Sequence, residues 1–118
     1  MSYIQQLLKG LIDPIILSML NQLPMYGYQI GKELKQRSNG LLKLKGGTIY
    51  PALLRLEKDG LVSSKWHEIS NRKPRKYYHI TSKGKKLLTS RSSDWDDFYQ
   101  MVNRFMQGNT RLPEPGID

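Results

Sequence analysis

Apolar residues recur at the helical period of three to four positions in three successive segments of the first half of the chain. These segments are residues 11–23, 26–38 and 46–60. In the first segment, Asp13 is a candidate N-cap and Pro14 suits the first helical position. A short leading helix over residues 3–10 fits the same pattern. The pattern therefore predicts that the chain begins with helices rather than strands.

The third helical segment has one clearly apolar face. Ile49, Leu53 and Leu56 recur on it and predict the side that packs on the core. Pro51 lacks an N–H group and is tolerated only near a helix start, which places that start at residues 46–48. The opposite, solvent-facing side is predicted to hold Thr48, Ala52, Arg55 and Asp59.

Glycines mark close approaches and helix ends in this part of the chain. Gly27 and Gly31 are four residues apart on the second helix, so a neighbouring helix can approach closely there. Asn39 and Gly40 favour the end of the second helix, and Gly60 favours the end of the third, because these residues tolerate a left-handed backbone. The ends of the second and third helices are therefore predicted from the sequence alone.

Two segments with strand character flank a basic turn. Residues 61–69 and 76–80 predict strands, and residues 70–75 between them are rich in turn-forming and basic residues. Together they predict a β-hairpin with a positively charged tip. Trp66 on the first strand is expected to pack against the fold, and residues 41–45 alternate enough to predict a short extended segment.

A long helix is predicted to close the fold. Thr81 can cap it, and its apolar pattern runs to about residue 107. The apolar residues recur at heptad-like spacing, which predicts a seam for a second copy of the chain. The members of this predicted dimer interface are Leu88, Trp95, Phe98, Val102 and Phe105.

The order helix, helix, helix, hairpin, long helix is typical of the winged variant of helix-turn-helix. The predicted fold class is mainly α with a small β-hairpin, a winged helix-turn-helix followed by a long C-terminal dimerisation helix. The predicted division is a DNA-binding domain over residues 1–80, the dimerisation helix over 81–108, and a Pro/Gly-rich flexible tail over 109–118.

Positive charge is concentrated in the middle of the chain. The net charge is +9 overall. Residues 31–91 hold 16 Lys and Arg against 4 acidic residues, a net +12, whereas residues 92–118 hold 2 against 5, a net −3. Such a distribution fits a polyanionic partner such as nucleic acid, although a solvated basic surface has the same composition.

The residues give little support to catalysis or metal binding. There is no cysteine, and His67 and His79 have no nearby acidic residues at ligand spacing. No nucleophile elbow and no glycine-rich phosphate loop occurs. We therefore predict no enzyme, no cofactor and no metal. No apolar run reaches roughly 18 residues and no signal peptide is recognised, so a cytoplasmic protein without a membrane partner is expected.

The third helix is the candidate recognition helix, because the N-terminal residues of such a helix meet base edges in the major groove. Its predicted DNA-binding residues are Lys45, Gly47, Thr48, Tyr50 and Arg55, with Tyr50 also suited to packing. On the wing, the residues predicted to grip phosphates are Arg72, Lys73, Arg75 and Lys76. The structural alternatives are an amphipathic core helix with a flexible glycine lead-in, and a solvated loop.

Three linked segments resemble a known family. YGYQIGKEL, GGTIYPALLRLEKDGLV and RKPRKYYHITSKGKKLL are similar, in order and spacing, to the signature segments of PadR-family regulators. The resemblance covers roughly residues 10–90. The single long helix that follows resembles the short subfamily, in which the last helix forms the dimer. The implied fold is a winged helix with a dimerising last helix.

The resemblance also implies a function. It implies a homodimer that binds a palindromic double-stranded DNA operator through residues 46–55 and 72–76, usually as a repressor released by small molecules. In multidrug-responsive members a tryptophan of the last helix lines a flat ligand pore, and Trp95 in SSDWDDF matches that position. A planar aromatic effector would then meet Trp95, Phe98 and Asp94, unless Trp95 only fills the seam. A winged helix that binds protein or RNA, without an operator, is the alternative function.

Overall fold

The structure is a computed structural model that describes residues 10–108. Its elements are α1 (Ile12–Gln22), β1 (Met25–Tyr26), α2 (Gly27–Arg37), α3 (Gly46–Lys58), β2 (Val62–Ile69), β3 (Arg72–Ile80) and α4 (Ser82–Met106). This mainly α order with a small sheet confirms the predicted winged helix-turn-helix. The predicted leading helix, apart from Gly10 in a turn, and the predicted tail over 109–118 lie outside the described residues.

α1 presents an apolar stripe to the core, where Ile16 and Leu17 are almost fully buried. The prediction that Asp13 caps this helix is wrong, because the helix begins at Ile12 with Leu11 as its N-cap. Asp13 lies instead in the first turn. A carboxylate is favourable there, near the positive end of the helix dipole, without acting as a cap.

α3 begins and ends where its proline and glycine predicted. It starts at Gly46, so Pro51 is the sixth helical residue. At the other end Gly60 adopts a φ of +75°, and the Leu61 amide donates a hydrogen bond to the Leu56 carbonyl at 2.9 Å. This closing bond satisfies a carbonyl that the helix itself leaves without a donor.

The buried face of α3 is wider than predicted. Ala52, expected on the solvent side, is only 2% exposed and belongs to the core. It precedes Leu53 at the border of the apolar face, and its small side chain carries no polar group that would need water. The full buried set on this helix is Ile49, Ala52, Leu53 and Leu56.

The sheet contains three antiparallel strands in the order β1-β3-β2, one more than the predicted hairpin. β1 is only two residues long, and Met25 and Tyr26 pair with Tyr78 and Tyr77 of β3. A strand this short has no period-two pattern by which the sequence could reveal it.

The hairpin turn is shorter than predicted. Ile69 pairs with Arg72, so Ser70 and Asn71 alone form the turn, and Asn71 adopts a left-handed φ of +63°. β3 therefore begins at Arg72, and the prediction of a basic loop over residues 70–75 is wrong. The ladder shifts register between His67 and Ile69, and Pro74 lies opposite this irregularity, where its missing N–H costs no hydrogen bond of the ladder.

Residues 41–45 form no strand, although an extended segment was predicted there. Leu42 turns into the core, 7% exposed, and its amide donates to the Ser38 hydroxyl at 2.8 Å. The apparent alternation of this segment reflects two leucine anchors rather than sheet pairing. The second anchor, Leu44, packs against the same core cluster.

The loop after α3 and the first turn of α4 are joined by hydrogen bonds. Thr81 caps α4 as predicted, accepting from the Gly84 amide at 3.1 Å, and its hydroxyl also donates to the Gly60 carbonyl at 2.7 Å. Lys83 donates to the Asp59 carbonyl at 2.7 Å. Gly84 lies so close to Leu61 that a Cβ atom there would collide with the Leu61 carbonyl oxygen. The C-cap of α3 and the loop that follows it are thus bonded to the start of α4.

The chain divides into two compact units, one up to Leu88 and one from Thr89 onward. In the first unit, Leu87 and Leu88 are partly buried and pack against the winged-helix core. In the second, the helix carries a set of exposed apolar side chains: Phe98, Tyr99, Met101, Val102, Phe105 and Met106. Trp95 on the same helix is half-buried.

Candidate nucleic-acid interface

One face of α3 is exposed along its length. Its residues are Gly47, Thr48, Tyr50, Pro51, Leu54, Arg55 and Lys58. Thr48 and Arg55 are seven residues, or about two helical turns, apart and share one edge of this face. Leu54 is 60% exposed. The sequence pattern did not identify Leu54 or Lys58 as members of this face. Leu54 could have been recognised, because it does not share the helical spacing of the core residues Ile49, Leu53 and Leu56.

Arg55 is held by a carboxylate from another helix. Its Nη2 atom lies 2.6 Å from Asp13 Oδ1, and its Nε donates to Oδ2 at 3.3 Å. The hydrogen bond to Asp13 raises the pKa of the guanidinium above its ordinary value. The structure therefore places Arg55 on the exposed face, as predicted, with its guanidinium paired to Asp13 of α1.

Tyr50 both packs and remains exposed. A Cβ atom on Gly27 would lie 2.5 Å from the Tyr50 hydroxyl oxygen, so the ring rests directly on the α2 backbone. A Cβ atom on Gly31 would lie 3.0 Å from Ile49 Cδ1, so this glycine is approached in the same way. These contacts confirm the predicted close approach at the two glycines. The Tyr50 side chain is nevertheless 51% exposed.

The wing cations lie on β3 rather than on a loop. Arg72 and Lys73 are exposed at the strand start, whereas Arg75 and Lys76 are half-buried. The Arg75 guanidinium stacks over the Tyr26 ring, 4.4 Å from its centroid. Arg75 and Lys76 are adjacent on a strand, so their side chains leave the sheet on opposite faces.

The prediction that Trp66 packs against the fold is wrong, because its side chain is 68% exposed. Trp66 pairs with Lys76 in the ladder. Ser64 lies two residues earlier on the same face of β2, and its hydroxyl donates a hydrogen bond to the Glu57 carboxylate of α3. This face of the sheet is therefore directed toward α3. Trp66 lies beyond that contact and borders a cavity shared with Tyr50.

A second concavity separates α2 from the start of α3. It has a volume of about 820 Å³, and its floor includes Gly31, Ile49 and Leu44. Lys32 and Lys35 line its α2 side. No signal in the sequence indicates that these two lysines border the start of α3.

The outer face of the wing carries two histidines. The rings of His67 and His79 stack with centroids 6.0 Å apart. Burial lowers the pKa of His79 below its ordinary value, and the nearby charges of Lys65 and His67 lower it further. Within residues 10–108, no group of three or more His, Asp or Glu side chains is arranged to hold a metal ion.

The comparison with known proteins assigns this geometry to a family. A model described as the transcriptional regulator PadR-like family matches residues 16–90, which is more than half of the chain. The chain belongs to the PadR-like family. Its relatives include an uncharacterized protein from Lysinibacillus sphaericus that is 33% identical over 102 residues, which are 86% of this chain and 94% of the relative.

Solved structures of PadR-like proteins share the fold. The chain is similar to a PadR-like transcriptional regulator from Bacillus cereus, with a TM-score of 0.77 and 34% identity, covering 86% of this chain and 97% of that one. It is also similar to a PadR-like transcription factor from Bacteroides fragilis, with a TM-score of 0.71 and 35% identity, covering 86% and 95% of the two chains. The protein is therefore a winged-helix DNA-binding transcriptional regulator of the PadR-like family, and not an enzyme.

The last helix of this PadR-like chain leaves apolar side chains in solvent. Phe98 is 57% exposed and Phe105 is 67% exposed. Contiguous exposed apolar residues on a helix mark a surface for a partner. Over the described part of the chain, no helix combines the length and the apolar character needed to cross a bilayer.

Proposed function

We propose that this PadR-like chain is a cytoplasmic repressor that binds a palindromic operator as a homodimer. The single observation that carries the proposal is the exposed face of α3 in the same compact unit as the wing cations. This pairing suits a helix in the major groove and a basic ribbon along the neighbouring groove. A winged helix that binds protein would not need cations on both elements, and the major groove of A-form RNA is too narrow to admit α3.

The proposed division of labour separates base reading from phosphate binding. The recognition-helix residues are Lys45, Gly47, Thr48, Tyr50 and Arg55. The wing residues that bind phosphates are Arg72, Lys73, Arg75 and Lys76. Thr48 is proposed to read a base edge because it is exposed in the first turn of α3, where the helix meets the groove floor.

The proposed dimerisation helix spans residues 81–108, after a DNA-binding domain over 1–80. Its interface residues are Leu88, Trp95, Phe98, Val102 and Phe105, of which the last three are exposed and supply the apolar area. Leu88 packs against the winged-helix core and would mark the inner end of the seam. Symmetric dimers of this kind place their half-sites about one helical turn of DNA apart.

DNA affinity is expected to fall steeply with salt. Two subunits with about four phosphate contacts each would give a log–log slope of about −7 against salt concentration. Lys73→Ala, which removes an exposed cation, is expected to weaken binding to every duplex equally and to reduce the slope. Thr48→Ala is expected to weaken binding to the operator preferentially. Fluorescence anisotropy on an operator duplex and on a random duplex measures both effects.

The matched controls are Lys86→Ala, a cation outside both predicted DNA-binding groups, and Thr89→Ala on α4. Neither control should alter the operator-to-random ratio of affinities. Equal losses by Lys73→Ala and Thr48→Ala on both duplexes would show that the proposed division between phosphate binding and base reading is wrong. Binding that is stronger to RNA than to any DNA duplex would favour the alternative function.

A planar aromatic effector is proposed to bind beside Trp95, Phe98 and Asp94 at the dimer centre. Indole stacks on flat aromatic rings, and such contacts contribute about 0.5–1.5 kcal/mol beyond buried area. Asp94, Asp96 and Asp97 are exposed there, so a cationic compound is favoured over an anionic one. The effector need only bind the DNA-incompetent arrangement more tightly to release the repressor.

Titration with a planar cationic dye is expected to quench tryptophan fluorescence and to release bound DNA. Trp95→Ala should lose both responses, because the stacking surface is gone. Asp97→Asn serves as a control that lowers charge and keeps the aromatic surface. Quenching that persists unchanged in Trp95→Ala would place the dye elsewhere and remove the support for this pocket.

A further inference from the structure

An aromatic cleft separates the recognition helix from the wing. Its walls are Tyr50 of α3 and Trp66 of β2, and its floor includes Gly27 of α2. Arg75 and Lys76 of β3 line the same cavity, which has a volume of about 420 Å³. The lining residues within the described chain include two cations and no carboxylate. The cleft is therefore aromatic inside and positively charged at its border.

Within residues 10–108, Trp66 lies outside the buried core. Its side chain is 68% exposed, more than that of Tyr50 at 51%. An indole ring in solvent loses the apolar burial that usually favours tryptophan, and it keeps an N–H donor and a flat face for a partner. Its ladder partner is a lysine, Lys76, which lies on the same side of the sheet. The Trp66 indole and the Lys76 ammonium group therefore lie side by side on the same face of the sheet.

We propose that this cleft binds the sugar–phosphate strand of duplex DNA that separates the major groove from the adjacent minor groove. This inference rests on the proposed function. If α3 enters the major groove and the wing follows the neighbouring groove, the strand between the two grooves must cross the space between the two elements. The space between them is the cleft.

The chemistry of the cleft matches such a strand. Deoxyribose offers an apolar face to the Trp66 ring, and phosphate oxygens accept hydrogen bonds from the indole Nε1–H and the Tyr50 hydroxyl. Lys76 supplies a counter-charge. Arg75 leaves the sheet on the face opposite Lys76 and Trp66, and its guanidinium is stacked on the Tyr26 ring at 4.4 Å, where both residues border the cleft. Trp66 then fixes the position of the wing on DNA without reading sequence.

The test uses the full-length protein and a duplex of about forty base pairs from upstream of its own gene. Trp66→Ala is expected to lower the affinity about tenfold, while the salt slope stays unchanged because no charge is lost. Lys76→Ala is expected to reduce the slope by about 1. Leu23→Ala, which truncates another exposed apolar side chain, should leave the affinity unchanged. Thermal midpoints of all variants report whether the fold is intact.

A second readout observes Trp66 directly. The chain has two tryptophans, so Trp66→Phe leaves Trp95 as the remaining fluorophore. Duplex DNA is expected to protect wild-type fluorescence from acrylamide quenching, and this protection should be absent in Trp66→Phe. The phenylalanine variant also keeps an aromatic ring in the cleft, so its affinity should fall less than that of Trp66→Ala.

The outcomes separate this inference from the proposed function. If the wild type binds no duplex, the proposed function fails and this inference fails with it. If the wild type binds and Trp66→Ala binds equally well, or if protection persists in Trp66→Phe, the inference alone is overturned. Tighter binding to single-stranded DNA than to the duplex would also overturn it, because the cleft would then stack bases.

Discussion

Phe98→Glu is expected to convert the dimer to a monomer and to abolish operator binding. Phe98 is 57% exposed on α4, so in the proposed dimer it would be buried by the partner helix. A carboxylate forced into that apolar seam costs several kcal/mol, more than one helix pair can offset. A monomer holds one half-site alone and loses the roughly 10²–10⁴-fold gain that linkage of two sites provides. Light scattering at micromolar concentration and a gel shift measure the two losses.

The matched control is Gln100→Glu, which adds the same charge two residues further along the helix. Gln100 is exposed and donates to Asp96 at 3.0 Å, on the polar side of α4. Its replacement should leave both the dimer mass and operator binding intact. A dimer mass for Phe98→Glu, with circular dichroism unchanged, would place the interface elsewhere on the chain.

Gly84→Ala is expected to destabilise the first unit strongly. A Cβ atom at this position would collide with the Leu61 carbonyl oxygen and lie 2.8 Å from Ile80 Cγ1. Backbone cannot move aside as a flexible side chain can, so the free energy of unfolding should fall by roughly 1–3 kcal/mol. For a unit of this size that corresponds to a decrease in Tm of about 4–8 °C per kcal/mol. Thermal unfolding followed by circular dichroism measures it.

Gly47→Ala provides the control for helix propensity. Gly47 is also helical, and a Cβ atom there has nothing within 4 Å. Alanine should therefore raise the free energy of unfolding by roughly 0.5–1 kcal/mol through the lower entropy of the unfolded chain. A Gly84→Ala protein as stable as the wild type would mean that the loop and α4 are not in close contact.

The local chemistry of single residues made most of the fold predictable. Pro51 and Gly60 bounded the recognition helix because one lacks an amide donor and the other tolerates a left-handed backbone. Gly27 and Gly31 predicted the close approach of α3 for steric reasons. β1 was missed because its two residues acquire strand geometry only by pairing with Tyr77 and Tyr78 of a distant segment.

Part of the candidate site depends on contacts that no local pattern contains. Asp13 and Arg55 are 42 positions apart, so their ion pair follows from the packing of α1 on α3 rather than from either helix alone. Trp66 was expected to be buried because period two assigns it a face of the strand. The alternation of the strand does not reveal how far a neighbouring helix extends over that face. In the structure α3 contacts Ser64 through Glu57, whereas Trp66 stays exposed.

The hydrogen bonds between the start of α4 and the residues that follow α3 couple the orientations of the two helices at this point. Thr81 and Lys83 donate to the carbonyls of Gly60 and Asp59, which directly follow α3, and Gly84 packs against Leu61 of the same loop. α3 has 13 residues and is therefore about 20 Å long, so a rotation of about 10° at its bonded end moves its free end by about 3 Å. That displacement is as long as a hydrogen bond. Thr48, at the free end, would gain or lose a base contact through a small turn made at the far end of the helix.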